Sequence, residues 1–210
     1  MPSYQDVGEA LGLELDAPQA LQLQRFERFL VEEAAVAGGI GPDETERVRD
    51  RHVVDGLVYA SELGTETNAT YDIGSGVGLP GIPVAIARPD VRVVLVDRAG
   101  RRTDLARRAV RILALDNIEV RETDAGSLVD SAQSLLFRAS LPIGPAATLA
   151  VRLLEPGGTA LFGLSRRPDP PPVPIEPAGL AFTVAKITSS VLDSPFWLLR
   201  MTAERKRAQE

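Results

Sequence analysis

A strand, a glycine-rich turn, a helix and a second strand ending in an acid follow one another in the first half of this chain. The turn is Tyr71-Asp72-Ile73-Gly74-Ser75-Gly76-Val77-Gly78-Leu79-Pro80-Gly81-Ile82-Pro83, and the second strand is Val93-Val94-Leu95-Val96-Asp97. Such a unit binds a nucleoside. Glycines let the backbone approach the ligand closely, and an acid at the tip of the next strand accepts hydrogen bonds from ribose hydroxyls.

The spacing narrows the choice of nucleoside. A dinucleotide fold uses G-x-G-x-x-G, with the pyrophosphate on the helix N-terminus. Here Gly74, Gly76 and Gly78 give G-x-G-x-G, and Leu79 falls where the third glycine of that fingerprint belongs. Asp72 stands in the strand two residues before the first glycine. A carboxylate there repels a pyrophosphate but suits a cation. S-adenosylmethionine carries a sulfonium and an ammonium and no phosphate, so this pattern followed by Asp97 favours a methyl donor over NAD.

Around this unit, strands are expected at 69–73, 92–96, 118–122, 134–138, 159–163, 181–187 and 196–202, with helices near 80–88, 101–114 and 144–154. The alternation predicts an α/β fold with a mostly parallel sheet and helices on both faces. The last two strands, separated by Ser189 to Ser194 with no helix between them, predict an antiparallel hairpin at one edge. That is the seven-stranded class I methyltransferase sheet in outline. Residues 1–66 read as an N-terminal helical cap and 67–210 as the methyltransferase domain. In the cap, Asp16 and Pro18 start a helix whose apolar face is Leu21, Leu23, Phe26, Phe29 and Leu30, and Gly38-Gly39-Ile40-Gly41-Pro42 ends it. Asp43 is expected to cap a second helix running through Val48, Val53, Leu57 and Val58 to about Leu63. Pro168 to Pro174 read as a stiff extended connector, and Asp169-Pro170-Pro171 as linker.

Composition excludes several classes. With 210 residues and 44% hydrophobic residues, the chain can bury the core of one α/β domain. Cysteine is absent, which removes disulfides, thiolate zinc sites and cysteine nucleophiles, and no metal site is expected. No stretch reads as a signal peptide or a membrane span, so the expected location is the cytoplasm, with no membrane partner. A net charge of −6 argues against nonspecific coating of nucleic acid, although a local basic patch is compatible with it.

Further motifs carry a resemblance. Arg51-His52-x-x-Asp55, Asp72-x-Gly74-Ser75-Gly76-x-Gly78-Leu79-Pro80-Gly81-Ile82-Pro83, Ala87-Arg88-Pro89, Leu95-x-Asp97 to Arg101-Arg102, Leu115-Asp116-Asn117-Ile118-Glu119 and Arg138-Ala139 together resemble the bacterial small-subunit ribosomal RNA guanine-N7 methyltransferases, the RsmG or GidB family. The resemblance covers roughly residues 20–165. It implies S-adenosylmethionine as cofactor, ribosomal RNA or the small ribosomal subunit as partner, and methyl transfer to N7 of a guanine.

The resemblance also distributes roles. The cofactor set is Asp72, Gly74, Ser75, Gly76, Gly78, Leu79, Asp97, Arg98, Asp124 and Ala125, with Asp72 near the methionine end and Asp124-Ala125 flanking adenine. Arg138 is the catalytic candidate, holding the guanine or its phosphate, and His52, Arg101 and Arg102 join it on the RNA side. Guanine N7 has an exposed lone pair and needs no deprotonation, so alignment and electrostatics replace a strong base. His52, the only histidine, has a second reading as a buried hydrogen-bonding residue that fixes the cap. The run Arg98, Arg101, Arg102, Arg107, Arg108 and Arg111 has a second reading as a solvated helix face.

Some positions depart from the family pattern. Ala37-Gly38-Gly39-Ile40-Gly41 stand where Asn-Leu-Thr is usual, Leu161 to Ser165 lack the fifth-strand lysine, Asp124-Ala125-Gly126 replace Arg-Ala-Glu, and Phe137 replaces serine. The alternative readings are therefore a noncatalytic relative that binds S-adenosylmethionine or RNA, and a small-molecule methyltransferase.

Overall fold

Runs of apolar residues in the strands dictate a sheet covered on both sides. In the computed structural model, which describes residues 1–173 and 179–204, Val93 and Leu95 of β2 (Arg92–Asp97) enter one apolar cluster and Val94 and Val96 enter another across the sheet. That alternation is the period-two geometry of a strand buried on both faces. The other strands are β1 (Ala69–Ile73), β3 (Ile118–Glu122), β4 (Ala132–Arg138), β5 (Leu154–Arg166), β6 (Leu180–Ile187) and β7 (Phe196–Ala203). Their spatial order is β3-β2-β1-β4-β5-β7-β6. The pairs β1–β2, β1–β4, β2–β3 and β4–β5 are parallel, whereas β7 runs antiparallel to both β5 and β6. The expected edge hairpin is present. β5 begins five residues earlier than its apolar core suggests, through Pro156-Gly157-Gly158.

Helices α4 (Gly81–Ala87) and α5 (Gly100–Leu113) cover one face together with the cap, and α6 (Ile143–Leu153) covers the other. The cap contributes Leu23, Phe26, Leu30, Val53 and Leu57 to the same cluster as Ile82, Ile86 and Leu95. None of the helices among the described residues is long and apolar enough to cross a membrane. Of the proline-rich connector, residues up to Val173 are described and are irregular, and Pro174 lies outside the described residues.

The cap differs from its sequence reading in four places, the first being Leu21, which is exposed and not on the buried face of its helix. A first helix, α1 (Tyr4–Ala10), precedes the expected one and is closed by a reciprocal Ser3–Asp6 cap. Helix α2 (Ala17–Phe29) starts as expected, with Asp16 accepting the Gln19 N–H at 2.7 Å and Gln19 answering at 2.8 Å, a capping box. It widens into a π turn over Leu30–Ala34 before the glycines end it. The single second helix expected from Asp43 is instead a 3-10 turn (Pro42–Arg47), a π turn (Arg49–Val53) and then α3 (Val54–Glu62). Gly41, not Asp43, is the capping position of the first of these. The carbonyls of Asp50 and Arg51 accept from the guanidinium groups of Arg166 and Arg138, so side chains from β4 and β5 stand in for partners in the helical ladder.

The seat of the cap on the sheet is the contact of α3 with α4. A methyl carbon at Gly56 would sit 2.7 Å from Cβ and Cγ of Pro83, which cannot rotate away. Gly56→Ala gains up to about 1 kcal/mol of helix propensity but overpacks this contact, so the expected net loss of stability is about 1–2 kcal/mol. Urea denaturation checks it: a lower midpoint at unchanged slope is expected, and a raised midpoint contradicts the packing.

Candidate functional site

The sheet changes direction at β1, whose neighbours β2 and β4 lead to opposite edges. Ligands of open α/β sheets bind at the carboxyl ends of strands at such a point. A cavity of about 470 Å³ opens there. Its wall takes Ile73 and Gly74 from the end of β1, Asp97 and Arg98 from β2, Thr123 to Gly126 from β3, and Ala139 to Leu141 from β4, with Arg102 on α5 and Pro145 and Leu149 on α6.

Glycines shape the entrance. Gly74 and Gly76 have φ of +71° and +57°, which L side chains rarely adopt. A methyl carbon at Gly74 would lie 2.4 Å from Cβ of Ser140, so glycine lets the loop after β4 close on the loop after β1. At Gly76 nothing lies within 4 Å of that position, which leaves room for a ligand.

Asp97 is 6% exposed, and each of its carboxylate oxygens accepts one backbone N–H: Gly76 on Oδ2 at 2.9 Å and Ala99 on Oδ1 at 2.8 Å. Each oxygen keeps a lone pair for a hydroxyl donor. Asp124 caps the short turn Ala125–Ser127 through the Gly126 N–H, while Arg152 on α6 holds the carbonyls of Ala125 and Leu128 from below.

Five expected cofactor residues, Gly74, Asp97, Arg98, Asp124 and Ala125, therefore line one cavity. Asp72, Ser75, Gly78 and Leu79 stand behind it. Asp72 is fully buried, and its Oδ2 accepts the Gly81 N–H at 2.7 Å. Oδ1 of Asp72 and the hydroxyls of Ser75 and Ser140 have no hydrogen-bond partner among the described residues. Pro80, preceded by a cis peptide, and Gly81 close the loop into α4. The sequence reading missed Thr123, Ala139, Ser140 and Leu141. Their signal was positional, because each directly follows a parallel strand.

Arg138 ends β4, as expected, but its guanidinium turns toward the cap. Nη2 donates to the Arg51 carbonyl at 2.6 Å and to Nδ1 of His52 at 2.5 Å, leaving Nε and Nη1 without an acceptor among the described residues. Burial and the cation of Arg138 push the His52 imidazole down to about 4, so it is neutral at pH 7. Its Nε2 lies 3.4 Å from a Glu44 carboxylate oxygen. His52 thus adopts the cap-fixing arrangement. Of the basic run, Arg107 pairs with Asp104 and Glu122 and Arg108 with Glu33, whereas Arg98, Arg101, Arg102 and Arg111 form no ion pair with the described residues. No cluster of three or more His, Asp or Glu able to hold a metal occurs among the described residues.

Burial pushes Asp72 up to about 7, against the opposing pull of the Gly81 N–H and Arg138, and pushes Asp55 up to about 6 against the opposing charge of Arg166. A carboxyl with a raised folded value binds protons that the unfolded chain has released, so its ionisation removes stability as pH rises from about 4 to about 7. His52 has the opposite sign and costs stability as pH falls from 6.5 toward 4. Asp72→Asn keeps an acceptor for Gly81 and removes the ionisation. Its stability relative to the parent should rise between pH 5 and 7 and level off above pH 8, as read by urea unfolding at each pH. A constant difference contradicts a buried, titrating Asp72.

Comparison with known proteins agrees with this geometry. Residues 19–165 match the family model GidB, described as rRNA small subunit methyltransferase G. The chain is 36% identical over 158 residues to ribosomal RNA small subunit methyltransferase G of Frankia alni, covering 72% of this chain and 60% of that protein. It is 38% identical over 140 residues to the protein of the same name from Nocardioides sp., covering 66% and 56%. The chain thus spans about 60% of the length of these relatives.

Among solved structures, the apo form of the S-adenosylmethionine-dependent methyltransferase SibL superposes with TM-score 0.56 at 18% identity, covering 72% of this chain and 55% of that one. TYW2 of M. jannaschii in complex with AdoMet gives 0.56 at 14%, covering 74% and 76%. These likenesses establish the class I methyltransferase fold. With the family model matched along most of the chain, from the cap to the end of β5, this protein belongs to the rRNA small subunit methyltransferase G family.

Proposed function

We propose that this chain binds S-adenosylmethionine in the cavity at the carboxyl ends of β1, β2, β3 and β4 and methylates N7 of a guanine in small-subunit ribosomal RNA. The observation that carries the reading is the paired use of Asp97. Its carboxylate fixes the glycine loop through Gly76 and still faces a cavity with spare acceptor capacity. Gly74, Gly76, Asp97, Arg98, Asp124 and Ala125 would hold the cofactor, which supplies an electrophilic methyl group when bound. Asp72, behind the loop, adds negative potential rather than a direct contact, a change from the role expected of it. The unpaired arginines Arg98, Arg101 and Arg102 form the natural surface for RNA phosphates.

In this reading the protein's own groups bind and align. Guanine N7 presents its lone pair without losing a proton, so neutral His52 is not needed as a base. Arg138 has Nε and Nη1 free for guanine O6 or a phosphate while Nη2 keeps it fastened to the cap. Because each two-donor fork of a guanidinium uses Nη2, and both Nη2 hydrogens are committed to the cap, Nε and Nη1 each donate singly to such an acceptor. Arg138 is a catalytic candidate by orientation, with the attack of N7 set by how firmly the base is held.

Calorimetry with S-adenosylmethionine, followed by methyl transfer to naked small-subunit RNA and to assembled subunits, tests the proposal. S-adenosylmethionine is expected to bind more tightly than NAD, and Asp97→Ala is expected to lose about tenfold or more in affinity. Equal or tighter binding of NAD overturns the cofactor assignment. Arg138→Ala is expected to keep cofactor affinity while methyl transfer falls by about a hundredfold, the scale of a misplacement of ~1 Å. Cofactor binding by the parent chain with no transfer in any assembly state favours the noncatalytic reading.

A further inference from the structure

The opposite edge of the sheet holds a second cavity, of about 300 Å³, that no part of the proposed reaction uses. It lies under the C-terminus of α3, where Glu62, Leu63 and Gly64 meet the first residues of β4 and β5. The five residue steps from Ser134 in β4 to Ala139 just after it put it about 16 Å from the cavity at the carboxyl edge.

Its charges are unbalanced. Arg200 is the cation in its wall, and that guanidinium is already taken by the carboxylate and carbonyl of Glu62 at 2.8 and 3.1 Å. Glu66 and Glu155 face the same space with no ion pair among the described residues, where Glu155 has a hydroxyl contact from Ser131 at 3.5 Å. The last turn of α3 adds the negative end of its dipole.

A second observation is independent of these acids. Ser134 lines the cavity, is 1% exposed, and its hydroxyl has no hydrogen-bond partner among the described residues. It pairs across the ladder with Thr159 and shares a sheet face with Leu161, both of which also line the cavity. A buried hydroxyl without a partner costs free energy unless a ligand supplies one. Leu63, Pro156 and Leu161 give the same space apolar walls.

We propose that this cavity binds an aliphatic polyamine. Ammonium groups meet Glu66 and Glu155, the Ser134 hydroxyl takes an N–H, and the methylene chain lies on the apolar walls. A volume of this size holds a small linear molecule. The proposal needs neither cofactor nor activity.

Calorimetric titration of the full chain with spermidine at 0.15 M salt tests it. One saturable site is expected, with affinity unchanged in the presence of S-adenosylmethionine. The double variant Glu66→Gln, Glu155→Gln should lose at least tenfold, and Ser134→Ala about threefold. The charge-matched Glu14→Gln, Glu32→Gln control, on exposed residues elsewhere, should stay within about twofold of the parent. The proposal is overturned by the absence of saturable binding, by equal losses in the two double variants, by competition with S-adenosylmethionine, or by magnesium chloride giving the same heats. Thermal melts of each variant at parental temperature guard against loss through unfolding.

Discussion

The hydrogen bond from the Gly81 N–H to the buried carboxylate of Asp72 ties the end of β1 to the first residue of α4 across the whole glycine loop. It explains the sequence around it. A methyl carbon at Gly81 would lie 2.8 Å from Asp72 Oδ2 and 2.3 Å from a Leu95 methyl, so the strand, the helix and β2 can meet only over glycine. A carboxylate shut away from water is costly, and burial raises its proton affinity accordingly. The N-terminal amides of α4 offset part of that cost, because an anion is favoured at a helix N-terminus. The acid thus ties the far end of the loop to the strand from behind the cavity.

Asp97 works from the other flank. By accepting from Gly76 and Ala99 it fixes both the loop and the start of α5 before any ligand arrives. Two acids that read in the sequence as ligand contacts are therefore first of all ligands of the protein's own backbone. Asp97 retains a face toward the cavity and Asp72 does not. Preorganisation of this kind spares a nucleoside the cost of ordering the loop that holds it.

The sheet was legible because its signals are local. Apolar strands bounded by turn residues recur at even intervals, and the seven strands stand where those runs stand. The cap was harder to read. Its break at Arg49–Val53 goes with bonds to the Arg51 and Asp50 carbonyls from Arg138 and Arg166, residues 87 and 116 positions away in the chain. No window of sequence contains both partners. Helix α1 was missed for a different reason: its cap is Ser3 with Asp6 in place of the usual Glu or Gln, and it spans only seven residues. In the site, motif residues were legible and their orientation was not. Ser140 carries no motif, yet it touches the position that makes glycine obligatory at 74.

Arg138 joins these two halves. For its Nη2 to donate to His52 Nδ1, that nitrogen must carry a lone pair, so the ring is neutral and its proton sits on Nε2, toward Glu44. The low proton affinity of the imidazole follows from the same contact, since a second cation beside the guanidinium is unfavourable. Arg138 thus holds the cap through a backbone carbonyl and one neutral ring, beside Arg166 at Asp50 and Asp55, and none of these contacts involves the glycine-rich segment at 37–41. That segment meets the loop by a different route. Gly39 lies where a methyl carbon would be 2.5 Å from Val77, so small residues there bring the cap down onto the glycine loop. The anchor of Arg138 at the end of β4 and the approach of the cap to the glycine loop therefore use separate residues.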